Sequence, residues 1–248
     1  MIFRTRTAQP YQLPSLTPRQ QLRAGRLGRR LPQLYAGLFG YGFSMAMMIK
    51  ASLGLDPWDV LHQGLTRYLP FSFGTVTIIV GAIVLLLWIP LRQWPGLGTV
   101  SNVFVIGLAA DFGLWVMPEP DTLVARIAFM VVAIVANGLA GAAYIGSHFG
   151  PGPRDGLMTG LVARTGGSVR LIRTRIELAV LGIGFLLGGT VGVGTVLYAI
   201  AIGPLVQFFL PLVAVRLPPA RQILSAPERP ENLTIRQGTG RFTEGMPR

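Results

Sequence analysis

Slid by 96 positions against itself, the chain superposes LGLDPWDVLHQGL (residues 53–65) on FGPGPRDGLMTGL (residues 149–161) without a gap. Gly54 then meets Gly150, Pro57 meets Pro153, Asp59 meets Asp155, Leu61 meets Leu157, Gly64 meets Gly160 and Leu65 meets Leu161. At the same offset GLGTV (96–100) falls on GVGTV (192–196), Ile106-Gly107 on Ile202-Gly203, and Phe112 on Phe208. Apolar stretches match one another through composition alone, but Pro and Asp at fixed offsets do not. The chain therefore carries an internal duplication, and its fold has to accommodate two similar units.

The solvent of those units follows from composition. Of 248 residues, 51% are hydrophobic and only 13% charged, about half the charged fraction of a water-soluble domain, so a lipid bilayer is the expected surroundings. Six apolar segments are long enough to cross a hydrocarbon core of about 30 Å. They run roughly over 34–52, 73–91, 99–117, 123–147, 171–189 and 195–215. With the N-terminus inside, the inner links hold the seven arginines before residue 31, Arg92, Arg154, Arg164, Arg170, Arg173, Arg175 and the six arginines from Arg216 onward. Only Lys50, Arg67 and Arg126 fall outside, which is the positive-inside pattern. The net charge of +12 thus reports membrane topology, and no nucleic acid is expected as a partner. The sequence predicts an all-α polytopic protein of the cell membrane with both termini cytoplasmic. Residues 1–33 and 216–248 are expected to be disordered basic cytoplasmic tails, 34–117 a first repeat and 118–215 a second. Three spans per repeat is an odd number, so the second copy enters from the opposite side: six transmembrane helices as two inverted three-helix repeats.

The repeated motif reads as a helix start. Pro57 and Pro153 suit a first helical position, where a missing N–H costs nothing. Asp59 and Asp155 then stand at the third, close to free amide groups and the positive end of the helix dipole. The helices expected over 57–69 and 153–164 are too short to span. Each is either re-entrant, the two first turns facing each other across the interior, or interfacial.

The combination PWDVLHQGL, GLGT, GPRDGLM, RTRIE (Arg173 to Glu177) and GVGT followed by IGPLVQ resembles the YczE-like branch of the YczE/YitT family of bacterial integral membrane proteins, over roughly residues 35–212. The resemblance implies a polytopic inner-membrane protein, in a family with members linked to control of lipopeptide antibiotic production. It brings neither a substrate nor catalytic residues.

The expected site consists of Asp59, Arg154, Asp155 and Glu177, beside a span-six break at Gly203-Pro204, with Gly54, Pro57, Gly150 and Pro153 shaping the motif. Each residue has a plainer reading: helix capping for the aspartates, an anchor beside Asp155 for Arg154, an i, i+4 pair with Arg173 for Glu177. Asp111 reads as solvated near the outer boundary. His62 and His148 have no spaced partner, so neither a metal nor a cofactor is expected. With no cysteine, no paired histidines and no Ser-His-Asp spacing, an enzyme is not expected. A secondary transporter or exporter of a small molecule is the first functional reading; a membrane accessory or regulatory protein, for example one controlling secondary-metabolite production, is the alternative. The partners expected are the lipid bilayer, a small-molecule substrate and anionic lipid at the basic tails, and a homo-oligomer is compatible with the sequence.

Overall fold

The computed structural model describes residues 17–218. Among these are nine α-helices and no strand: α1 (Pro18–Arg23), α2 (Leu27–Ala51), α3 (Pro57–Thr66), α4 (Phe73–Trp88), α5 (Leu97–Val116), α6 (Leu123–Ile145), α7 (Pro153–Thr165), α8 (Val169–Leu186) and α9 (Val193–Val213). The long helices α2, α4, α5, α6, α8 and α9 lie on the six apolar segments. Three of them, α5, α6 and α9, are long and apolar enough to cross a membrane, and α4 is apolar but shorter. Leu86, Leu108, Val124, Ile200, Phe208 and Leu212 are all exposed, leaving an apolar outer surface of the kind that faces lipid rather than water. Hydroxyl caps set where helices begin: Ser72 accepts from the Thr75 amide at α4 and Thr122 from the Ala125 amide at α6, satisfying donors that a helix start leaves unpaired.

The 96-residue offset recurs in the backbone. Left-handed φ values occur at Ser52 (53°) and His148 (58°), at Gly54 (118°) and Gly150 (107°), and at Arg92 (53°) and Gly188 (89°). It recurs in the contacts, with the partners exchanged. The Gly98 amide donates to the Phe149 carbonyl at 2.8 Å, and the Gly194 amide donates to the Leu53 carbonyl at 2.8 Å. Helix α3 packs on α8 and α7 on α4; α5 packs on α2 and α9 on α6; α2 and α6, equivalent helices, pack on each other at the centre.

The α4–α5 pair departs most from this scheme. Helices α4 and α5 are closely packed, whereas the equivalent α8 and α9 barely touch. A Cβ on Gly107 of α5 would strike the Gly74 carbonyl and the Ile78 side chain, while one on Gly203, its equivalent in α9, would meet open space. Asp111, read from the sequence as a solvated residue, fastens the closed pair: it accepts from the Ser72 hydroxyl at 2.5 Å and the Gly74 amide at 2.7 Å. At its equivalent position stands the exposed Gln207.

Two expectations require correction. Residues 17–33, read as tail, form α1 and the first turns of α2. The reason is Arg30, which is fully buried. Its guanidinium donates to the carbonyls of Ser147 (2.8 Å), Gln21 (2.7 Å), Gly25 (3.1 Å) and His148 (3.0 Å) and lies 4.3 Å from the centre of the Phe149 ring. The outer parts of both expected tails, 1–16 and 219–248, lie outside the described residues. Nor does α9 break at Gly203-Pro204; it continues through both Pro204 and Pro211. Pro204 still lacks the N–H that would reach the Ile200 carbonyl, so the helix tolerates one lost bond there without unwinding.

Candidate functional site

The site is assembled from two helix starts. At α3, Asp56 is the N-cap, accepting from the amides of Trp58 (2.8 Å) and Asp59 (3.0 Å). Pro57 occupies the first helical position as the motif predicts, but the cap is Asp56 and not Asp59. Asp59 is freed for tertiary contacts. Its Oδ1 lies 3.3 Å from His62 Nδ1, which is in turn 3.3 Å from the Thr77 hydroxyl. At α7 the N-cap is Gly152, which has no side chain to cap with. Asp155 approaches the Tyr144 hydroxyl at 3.4 Å, and the Trp88 indole N–H donates to the Pro153 carbonyl at 3.0 Å, holding this helix start against α4.

The two first turns meet. The Arg154 guanidinium lies 3.6 Å from Asp56 and 3.8 Å from Asp59, and 5.1 Å from the centre of the Trp58 ring. Trp58 and Arg154 are the same position in the two copies of the motif. Asp56 and Asp59 are buried to 1% and 0% exposure, and each leaves its Oδ2 without a hydrogen-bond partner. Nearby hydroxyls form a chain: Tyr41 lies 3.4 Å from Tyr198, Tyr198 donates to Asn137 at 3.0 Å, and Asn137 donates to Ser44 at 2.9 Å.

These groups surround a cavity of about 350 Å³, at the small end of ligand sites. Of the residues singled out from sequence, Arg154, Asp155, Glu177 and Gly203 line it. Asp59 stands behind Arg154, and Pro204 is not part of the wall. Glu177 pairs with Arg173 at 2.8 Å, both side chains partly exposed; these α8 residues line the cavity, as does the exposed Gln207 of α9. Of the motif residues, Pro57 and Pro153 line the cavity. Gly54 and Gly150 lie outside it, against Thr195 and Thr99 of the opposite copy. The sequence reading missed Asp56, whose position before Pro57 is itself a capping signal, and Tyr41, Tyr144 and Tyr198, which in sequence look like any other residue of an apolar helix. No group of three acid or histidine side chains converges as metal ligands would among the described residues.

Residues 28–211 match the family of unknown function DUF6198. The chain is 40% identical to an uncharacterized protein of Haemophilus influenzae over 177 residues, 71% of this chain and 81% of that protein. It is 32% identical to the uncharacterized membrane protein YczE of Bacillus subtilis over 179 residues, 71% of this chain and 83% of YczE. The Bacillus subtilis protein YyaS is 24% identical over 181 residues, 71% of this chain and 90% of YyaS. No solved structure matches the chain.

Proposed function

The chain belongs to the YczE-like membrane proteins of the family of unknown function DUF6198, and from that premise we propose that it is a secondary transporter or exporter of a small molecule. Six spans form two inverted three-helix repeats, with both termini cytoplasmic and the re-entrant starts of α3 and α7 meeting at the substrate site. The observation that carries this reading is the main mismatch in a largely exchanged set of contacts: α4 and α5 are closed and α8 and α9 apart, while exposed residues of both α8 and α9, Arg173 and Gln207, line the cavity. In transporters of inverted-repeat build, alternating access comes from rocking one unit against the other around a fixed central site. With the N-terminus inside, the Asp111–Ser72 closure lies toward the outer face and the α8–α9 gap toward the cytoplasm. The conformation described is then the inward-open one, and its counterpart is obtained by exchanging the roles of the two helix pairs.

The test uses a chain without native cysteine. Ser72→Cys with Asp111→Cys should cross-link in membranes under oxidant, reporting the closed outer pair. Ser168→Cys with Gln207→Cys, at the equivalent positions, should cross-link as well, reporting a second state in which α8 meets α9. If the first pair bridges and the second never does, the molecule has one state, and the accessory or regulatory reading takes the place of transport.

A further inference from the structure

The charge balance of the cavity specifies its ligand more closely than transport alone does. Four carboxylates, Asp56, Asp59, Asp155 and Glu177, face or back it against two guanidiniums, Arg154 and Arg173, leaving two net negative charges. The starts of α3 and α7 offset about half a charge each. Roughly one negative charge remains uncompensated, which a single cation would balance.

Two further observations point to the same ligand. Asp56, which lines the cavity, is buried with an orphaned Oδ2 atom, and a buried acceptor without a donor is costly. Asp155 lines the cavity and makes no ion pair among the described residues, its side-chain contact being the Tyr144 hydroxyl at 3.4 Å. The wall beside these acids is aromatic, and Arg154 shows what it accepts: a cation seated over the Trp58 ring between two carboxylates. A flat, delocalised or alkylated cation gains from such a ring. An anion would find two guanidiniums, Arg154 and Arg173, both already held by acids, and four carboxylates to repel it.

Resting on the transporter reading, we infer that the cavity binds a small organic cation through its ammonium group, with Asp155 and Asp56 as charge partners and Trp58 and Tyr144 as its walls. An inorganic ion alone would have no use for the aromatic lining, and the cavity volume of about 350 Å³ admits a molecule rather than an ion.

The experiment is a thermal-shift titration of the purified full chain with choline, tetramethylammonium and butylammonium. Dimethylbutanol, the neutral isostere of choline, and glycine betaine, its zwitterionic counterpart, serve as controls. At least one of the three cations should raise the melting temperature saturably, and neither control should. Asp155→Asn should weaken that binding by about tenfold or more, and Asp155→Glu should restore most of it. The inference is overturned if no cation binds, if the neutral or zwitterionic control binds as well as the cations, or if Asp155→Asn binds normally. Failure here while the Ser168/Gln207 cross-link still forms removes the substrate class and leaves transport standing. A cation that binds without uptake into proteoliposomes removes transport and leaves the substrate class.

Discussion

Gly107 and Gly203 are the same position in the two copies of the motif's unit, yet their surroundings differ. Gly107 has the Gly74 carbonyl and Ile78 against it, and Gly203 has nothing within reach of a Cβ. Gly107→Ala should therefore destabilise the protein by about 1–3 kcal/mol, the usual effect of overpacking. Gly203→Ala should be neutral or stabilising by up to about 1 kcal/mol, because alanine is the better helix former. Thermal melts in detergent measure both, and equal shifts would contradict the asymmetry. Arg30 is the other residue whose neighbours decide its effect. Arg30→Met leaves four backbone carbonyls without their charged donor and should cost at least about 3 kcal/mol. Arg30→Lys should recover only part of this, since an ammonium cannot reach carbonyls on so many sides of a planar fork. A Met variant that melts with the wild type would show that the residue ties nothing down.

Helix α3 begins where it does because Asp56 caps it and Pro57 follows. Asp56→Ala loses the cap and Asp56→Asn retains it, so the Asn variant should be the more stable by about 1 kcal/mol, though neither keeps the charge. The turn between α6 and α7 depends on His148, whose Nε2–H donates to the Val215 carbonyl at 2.8 Å. Burial holds its imidazole below the ordinary value, the Val215 bond opposes this, and nearby Arg30 acts in the same direction as burial. An unfolded histidine takes up its proton near pH ~6.5 while the folded one resists, so this contribution is complete above that pH and lost as pH falls below it. The melting temperature should drop more steeply from pH 7.5 to 5.5 in the wild type than in His148→Gln; parallel slopes would refute the assignment. The same elements show what a sequence can disclose. Apolar length placed six helices within a few residues of their observed ends, apart from the longer start of α2, and proline placed the starts of α3 and α7, because both signals are local. Arg30 was hidden in a run of arginines because its partners are carbonyls, and a carbonyl leaves no mark on residue identity. Asp111 looked solvated because Ser72 and the Gly74 amide reach it only across two helices. Pro204 looked like a break because a single proline removes one hydrogen bond, which neighbouring helices in a membrane can absorb.

At the scale of the molecule, the gap between α8 and α9 has to close if the cavity is to change sides. Gly203→Leu should then keep the present conformation and its melting temperature, yet abolish the Ser168/Gln207 cross-link by filling the space into which α8 would move; a cross-link formed as readily as before would mean that closure takes another route. The stack of Arg154 on Trp58 has a consequence of a different kind. These two residues occupy one position in the two copies of the motif and meet each other, so a dimer of one identical half, pairing in the same way, would set each side chain against its own copy. Two guanidiniums would repel, and two indoles would leave Asp56 and Asp59 with no cation. A cation in one half and a ring in the other require two halves of different sequence, which a homodimer of either half cannot supply. Residues 1–117 or 118–248 expressed alone would rebuild half a lining twice, and only the two fragments made together in one cell could restore the pocket.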